Sequence, residues 1–494
     1  MARDAHGVPT LQGRTRSDLA WALGYLHAQE RFFQMDGLRR SAAGELSELV
    51  GSAALRADRR SRPHRFRDRA AAALAMMSPA ERQVLNAYVE GVNRGLGDLQ
   101  ASPFEYFLLW SKPVPWTAED TVLTVYAMYL SLQEADGGTE RRRAAATEHL
   151  GPAWANFLFP EGTTWDAPLD GSSLPAPDLP RGGLNKAAGS ATQEGEVEPR
   201  IPGSNSFAVG GSISTRGAAI VANDMHLGLR VPNTWYRARL VLEDASGARV
   251  LDVTGVTLPG APNVVAGSNT FIAWAFTNSY VDTSDVVVLE QVDNQPDWYR
   301  TAEGPKQLTR REERLCQTCS RPETLSIEES IWGPVIGTNP QGQKLVYRWI
   351  AHDPIAVSLR GALELEEAWS VQEALAIAPR MGIPHQTLVV GDREGHIGWT
   401  VTSPLPRRVG HDGRLPTSWA DGTRGWDGYL APEEVPSVTS AESHRLWTAN
   451  SRVMGGDALA MLGFGAYAHG ARARQIRDSL FARQRFTEAD LLAI

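Results

Sequence analysis

The pair Gly203–Ser204, in the run IPGSNSFAV over residues 201–209, can do chemistry that neither residue does alone. If the bond between them is cut, Ser204 gains a free α-amine beside its own hydroxyl. An α-amine titrates at roughly 7.7–8, so near neutrality it can serve as general base for that hydroxyl. Gly203, lacking a Cβ, tolerates a strained approach of the hydroxyl to the preceding carbonyl. Taken alone, the pair also reads as an ordinary loop serine opening a strand. Its surroundings favour an exposed processing site. Residues 187–200 (AAGSATQEGEVEPR) have no hydrophobic periodicity and cannot bury themselves. Residues 206–209 and 218–222 read as two buried strands joined by a turn at Gly210–Gly211.

Other reactive types are sparse. Asp282 and Asp285, with a backbone carbonyl at Ser284 between them, offer hard oxygen ligands of the kind calcium takes, or simply a turn. His226, between Met225 and Leu227, reads alone as a structural histidine. The only two cysteines, Cys316 and Cys319, form a C-x-x-C with no histidine at zinc-finger spacing, which points to a local disulfide or a thiol pair in a hairpin loop. No H-E-x-x-H, G-x-S-x-G or phosphate-binding glycine loop occurs.

The elements that must position Ser204 follow from the patterning. Residues 17–50 read as helix capped near Asp18, a second helix opens at Pro79, and a third runs over residues 120–132 behind Thr117. The aromatic run PFEYFLLW at 103–110 reads as core packing. After Ser204 the texture changes to strands, at 235–242, 249–257, 263–266, 271–276, 285–289, 344–349, 386–390 and 396–402, with a short helix at 370–378. This gives an α+β class, helical first and strand-dominated later. With 494 residues and 42% hydrophobic content the chain can bury a large core. A net charge of −8 argues against nucleic acid as partner, and no run of 18 apolar residues is present to span a membrane. The arginine-rich stretches, 56–69 and 141–143, read as solvated helix faces.

Arg3–Asp4, Gly7–Val8–Pro9, Asp18, Gly24–Tyr25, Ala28–Gln29, Arg31, Met35, Arg39–Arg40 and Gly44–Glu45 resemble the opening of the penicillin acylase family. So does Gly203–Ser204–Asn205 followed by Ala222–Asn223–Asp224–Met225–His226, and the resemblance runs over essentially the whole chain. It implies an N-terminal nucleophile hydrolase with a four-layer αββα sandwich. In that arrangement a helical region (1–180), an exposed spacer (181–203) and a nucleophile-bearing region (204–494) form one precursor, cut at Gly203–Ser204 into two associated pieces. The activity implied is hydrolysis of a small N-acyl amide, either a β-lactam side chain or an acyl-homoserine lactone. A non-catalytic fragment that keeps the fold and never matures is the rival of another class.

By position, the resemblance makes Ser204 the nucleophile and places His226 near its amine. It gives the oxyanion two donors, the Asn278 backbone N–H and the Asn450 side chain, and sets Arg472 as a fixed cation that lowers the amine pKa. Leu227 and Ala266 stand where some relatives carry pocket phenylalanines, and Tyr129 and Leu130 lie on the helix that lines the acyl pocket. Glu140, Asp282, Ser284, Asp285 and Pro406 correspond to a structural calcium site, one Ca2+ per precursor, with no organic cofactor. The resemblance further implies a longer protein at both ends, and a periplasmic or secreted location if a signal peptide precedes this sequence.

Overall fold

The computed structural model describes residues 1–181, 203–316, 319–439 and 442–494. The expected spacer therefore lies, apart from its end residues, outside the described residues. The N-terminal helix runs Arg16–Ala43, with a reciprocal capping box between Thr15 and Asp18, and Gly44 ends it in the left-handed region at φ 66°. That stop divides the single helix expected over 17–50, and Ser47–Val50 forms a separate turn of helix. Helix Pro79–Gly97 packs along the first one, and helix Ala118–Leu132 begins where Asp120 accepts from Thr117 N at 2.9 Å.

The aromatic run at 103–110 departs from its core expectation. The helix Phe104–Leu108 is barely more than one turn, so it turns Tyr106 alone inward, where the hydroxyl donates to Asp36 at 2.7 Å. Phe104, Phe107, Leu108 and Trp110 are left on the surface.

Among the described residues, nine strands form the main sheet. At its centre, Ile272–Asn278 pairs antiparallel with Gln386–Asp392, with Asn278 opposite Gln386. Pro9–Gly13 enters the same sheet by parallel pairing with Tyr236–Glu243, Thr10 opposite Arg239. Residues before and after Ser204 thus share one sheet and one core. Leu11, Leu19, Leu23, Phe32 and Tyr88 pack against Ala238, Val253, Trp274 and Leu388. Fully burying such a side chain contributes roughly 1.5–3 kcal/mol.

Strand alternation sorts the layers. Leu388 and Val390 face the helices, while Val389 between them faces the other way, into a cluster with Ala208, Trp399 and Leu446. Ala208 and Leu446 belong to a second sheet of three strands, in which Gly203–Val209 is central between Ile220–His226 and Arg445–Thr448. The far side of that sheet, at Phe207, Val209 and Trp447, is covered by Ala473, Ile476 and Leu480 of helix Ala471–Phe481. A five-stranded sheet stands apart from these layers. Its edge strand Ser284–Val288 pairs with Lys344–Trp349. Cys316 and Cys319 form a disulfide at the end of the hairpin made by Thr309–Leu315 and Glu323–Ser330.

Candidate active site

Strand register brings the site together. Gly203 pairs with His226 and Ser204 with Met225 on one side. On the other side Ser206 pairs with Thr448, so two residues further along the ladder Asn450 lies beside Ser204. By the two-residue period of a strand, Ser204 shares the face of Ser206 and Ala208, which looks into the space between the sheets. Ser204 is buried, with its Oγ 2.6 Å from the Gly203 carbonyl oxygen.

Asn450 is the hub. Its Oδ1 accepts from Ser204 N at 2.6 Å and from Arg472 Nη2 at 2.8 Å, and its Nδ2 donates to the Asn278 carbonyl at 2.8 Å. An amide nitrogen carries two hydrogens, so one donor remains for a further acceptor. Asn450 holds φ at 67°, a left-handed conformation that asparagine tolerates better than most residues. Arg472 Nη1 donates to Ser204 O at 3.0 Å and to Asn205 Oδ1 at 2.6 Å, fixing the guanidinium against the nucleophile's backbone. Asn278 Nδ2 donates to Leu132 O at 2.6 Å, which ties the site to the end of helix Ala118–Leu132.

His226 meets Asp224, whose Oδ2 lies 2.8 Å from His226 Nε2. Nδ1 is the ring nitrogen turned to the Gly203 backbone. A Cβ at position 203 would come within 3.0 Å of His226 Nδ1, 3.3 Å of Arg472 Nη2 and 3.6 Å of Asn450 Oδ1. What glycine supplies here is room for three side chains to close on the bond. Asp224 is a partner of His226 that the sequence reading does not assign, although the D-M-H spacing carries the signal: residues i and i+2 of a strand share a face.

Beside Ser204 a cavity of about 100 Å³ opens toward helix Ala118–Leu132. Val125, Met128 and Leu132 form its helical wall, and Leu227, Phe276 and Ile383 close it. Leu227 is expected there. Tyr129, Leu130 and Ala266, also expected, do not line it. Tyr129 turns toward Trp349, its hydroxyl 2.9 Å from Ala356 O and 2.8 Å from Ile383 O. Leu130 packs against the cluster around Trp349 and Tyr347, and alternation along Val264–Ser268 gives the cavity Val265 in place of Ala266.

Asp282, Ser284 and Asp285 do come together, around a group that the sequence does not flag. The Arg408 guanidinium reaches the carboxylates of Asp282 and Asp285 at 2.8 and 2.9 Å and the Ser284 carbonyl at 3.1 Å. Glu140 instead accepts from Val286 N, at 3.0 and 3.1 Å to its two oxygens. Burial, reinforced by Asp285 and Asp282, pushes the Glu140 carboxyl well above the usual range. Pro406 opens the strand Pro406–Val409 that delivers Arg408. Among the described residues, no group of three or more His, Cys, Asp and Glu side chains is arranged to hold a metal ion.

The sequence profile of the penicillin amidase family matches residues 1–494, and the chain belongs to that family. It is 30% identical to the acyl-homoserine lactone acylase QuiP of Pseudomonas aeruginosa, over 92% of this chain and 54% of that protein. It is 27% identical to the penicillin acylase 2 proenzyme of Pseudomonas sp. strain SE83, over 100% of this chain and 63% of that protein. The match to penicillin G acylase of Escherichia coli is 24% identical and covers 90% and 58%. This chain therefore spans little more than half the length of these relatives. A solved penicillin G acylase from Alcaligenes faecalis superimposes with a TM-score of 0.50 at 20% identity, over 58% of this chain and 51% of that one, which shows a shared α+β fold.

Proposed function

We propose that this chain is an acyl-amide hydrolase made as a precursor, in which Ser204 first cuts its own link to Gly203 and then serves as an N-terminal nucleophile. The observation that carries the reading is the convergence of His226, Asn450 and Arg472 on the Gly203–Ser204 bond. In maturation the Ser204 hydroxyl attacks the Gly203 carbonyl carbon. The hydroxyl proton passes to the departing Ser204 nitrogen, and water hydrolyses the resulting ester. The freed amine then takes the proton from the hydroxyl, through water, as that hydroxyl attacks a substrate amide. The tetrahedral oxyanion rests on the Asn278 N–H and the uncommitted N–H of Asn450. The amine product leaves, and water releases the acid from the acyl-enzyme.

The layering of helix, sheet, sheet and helix supports the αββα sandwich of N-terminal nucleophile hydrolases. The apolar cavity supports an apolar acyl group on a β-lactam amine or a related amide. Its largely aliphatic wall, Val125, Met128, Leu132 and Leu227, also suits a flexible aliphatic chain, which favours an acyl-homoserine lactone as the second reading. No helix among the described residues is long and apolar enough to cross a membrane, and the Cys316–Cys319 disulfide supports an oxidising compartment such as the periplasm.

Purified protein should separate on a denaturing gel into two pieces, the second beginning at Ser204 by N-terminal sequencing. The Ser204→Ala protein should stay as one chain. Cleavage at that bond in Ser204→Ala would refute self-processing, and an uncut, inactive wild type would favour a non-catalytic role.

A further inference from the structure

We propose that the cation of the Asp282–Asp285 site is the guanidinium of Arg408, and that this chain needs no calcium there. A calcium ion takes six to eight oxygens at 2.3–2.6 Å around one point. Here that point is filled by a planar fork. Arg408 Nε donates to Asp285 Oδ2 at 2.9 Å, and Nη2 donates to Ser284 O at 3.1 Å while lying 2.8 Å from Asp282 Oδ1 as an ion pair. Nη1 donates to Asp282 O at 3.2 Å. Three of the five guanidinium hydrogens are thereby directed onto oxygens of the expected calcium ligands, with the Asp282 carboxylate paired alongside, a use to which the arginine fork is suited.

The donors also do not surround any other point. A cavity of about 60 Å³ lies next to the site, but Glu140, Asp282 and Ser284 line it while Asp285 and Pro406 do not. The Asp285 carboxylate is held from a further side as well: Trp426 Nε1 donates to Oδ2 at 2.5 Å, and His411 Nδ1 lies 3.6 Å from Oδ1. Both oxygens of Glu140 are engaged by Val286 N. Neighbouring backbone closes tightly on the ion pair, since a Cβ on Gly413 would sit 2.6 Å from Asp282 Oδ2 and 2.7 Å from Arg408 Nε. A metal could enter only by expelling the guanidinium. The role of Arg408 is positioning. It clamps the segment that follows Asn278 by four residues to the strand Pro406–Val409, and so holds the end of the strand that meets Asn450.

The test uses the full chain, measured for bound calcium after gel filtration in calcium-containing buffer, and melted with EDTA and with millimolar calcium. The expected result is far less than one calcium per chain and a Tm that neither addition moves. Arg408→Met should lower Tm and should gain a calcium-dependent upward shift that wild type lacks. If Arg408→Met does not fold, the wild-type measurements decide. One calcium retained per wild-type chain, or a wild-type Tm lowered by EDTA, would overturn the proposal. Cleavage at Ser204 is scored separately on the same samples, so failure to mature does not bear on this result.

Discussion

Four histidines buried as neutral groups, His27, His64, His352 and His385, each give the folded chain a stability that acid removes. His27 is fully enclosed, with Nδ1 2.8 Å from the Tyr88 hydroxyl and Nε2 2.9 Å from Thr257 Oγ1. His64 bonds to His352 at 3.0 Å beneath Phe66 and Trp349. His385 Nε2 lies 2.8 Å from Pro404 O. Burial is the first cause in each case, pulling His27 and His64 down to about 3 and His385 to about 4, and it lowers His352 as well. Because the folded values lie below the unfolded value of about 6.5, the unfolded chain binds the protons. The contribution to stability is complete above about pH 6.5 and is lost as pH falls toward the folded values. At about pH 5 each of the three with folded values near 3 or 4 costs roughly 2 kcal/mol, at 1.36 kcal/mol per pH unit. His27, His64 and His385 together lose about 6 kcal/mol, against which the buried Asp282 and Glu140 carboxyls, both raised by burial, act in the opposite direction. The assay is the urea midpoint by tryptophan fluorescence at about pH 7.5, 6 and 5. His27→Gln keeps a hydrogen-bonding side chain without the proton, so it should be less stable than wild type near neutrality but lose stability more slowly on acidification, by about 1.36 kcal/mol per pH unit. An unchanged slope in His27→Gln would refute the reasoning.

Two further outcomes are expected of the processed enzyme. Asn450→Asp keeps a residue that tolerates the left-handed backbone but removes the amide donor, so kcat/KM should fall by about 10²–10³ while circular dichroism stays unchanged. Met128→Trp should fill the cavity beside Ser204 and abolish hydrolysis of the longest acyl chains while sparing short ones, measured as kcat/KM across an acyl-length series.

The Ser204 strand and its partner Ile220–His226 are legible in the sequence because small and apolar residues there stand beside glycine turns, whereas its other partner, the four-residue strand Arg445–Thr448, is not. Helix Ala118–Leu132 is equally visible, but not the stripe it presents. All of Val122, Leu123, Tyr126 and Tyr129 are buried too, so hydrophobicity cannot single out Val125, Met128 and Leu132 as the cavity wall. A hairpin loop is expected at Cys316 and Cys319, but its strands Thr309–Leu315 and Glu323–Ser330 escape a sequence reading because TRREERL has no apolar alternation, their pairing being satisfied by backbone and by charged partners such as Arg310 and Glu328. Arg408 is illegible for a similar reason. In the triplet Pro406–Arg407–Arg408 nothing local distinguishes the arginine that enters the interior from the neighbour that pairs with Glu434 at the surface.

The parallel pairing of Pro9–Gly13 with Tyr236–Glu243 bears on what a cut at Ser204 does to the molecule. The first fragment would keep its rung in the second fragment's sheet, and Leu11, Leu23 and Tyr88 would keep their places among Ala238, Leu240 and Trp274. The two polypeptides could then part only by melting, so the covalent thread between them is needed for assembly and not for endurance. Separately encoded halves should meet the same energetic end point as the processed chain, reached by a slower and concentration-dependent search.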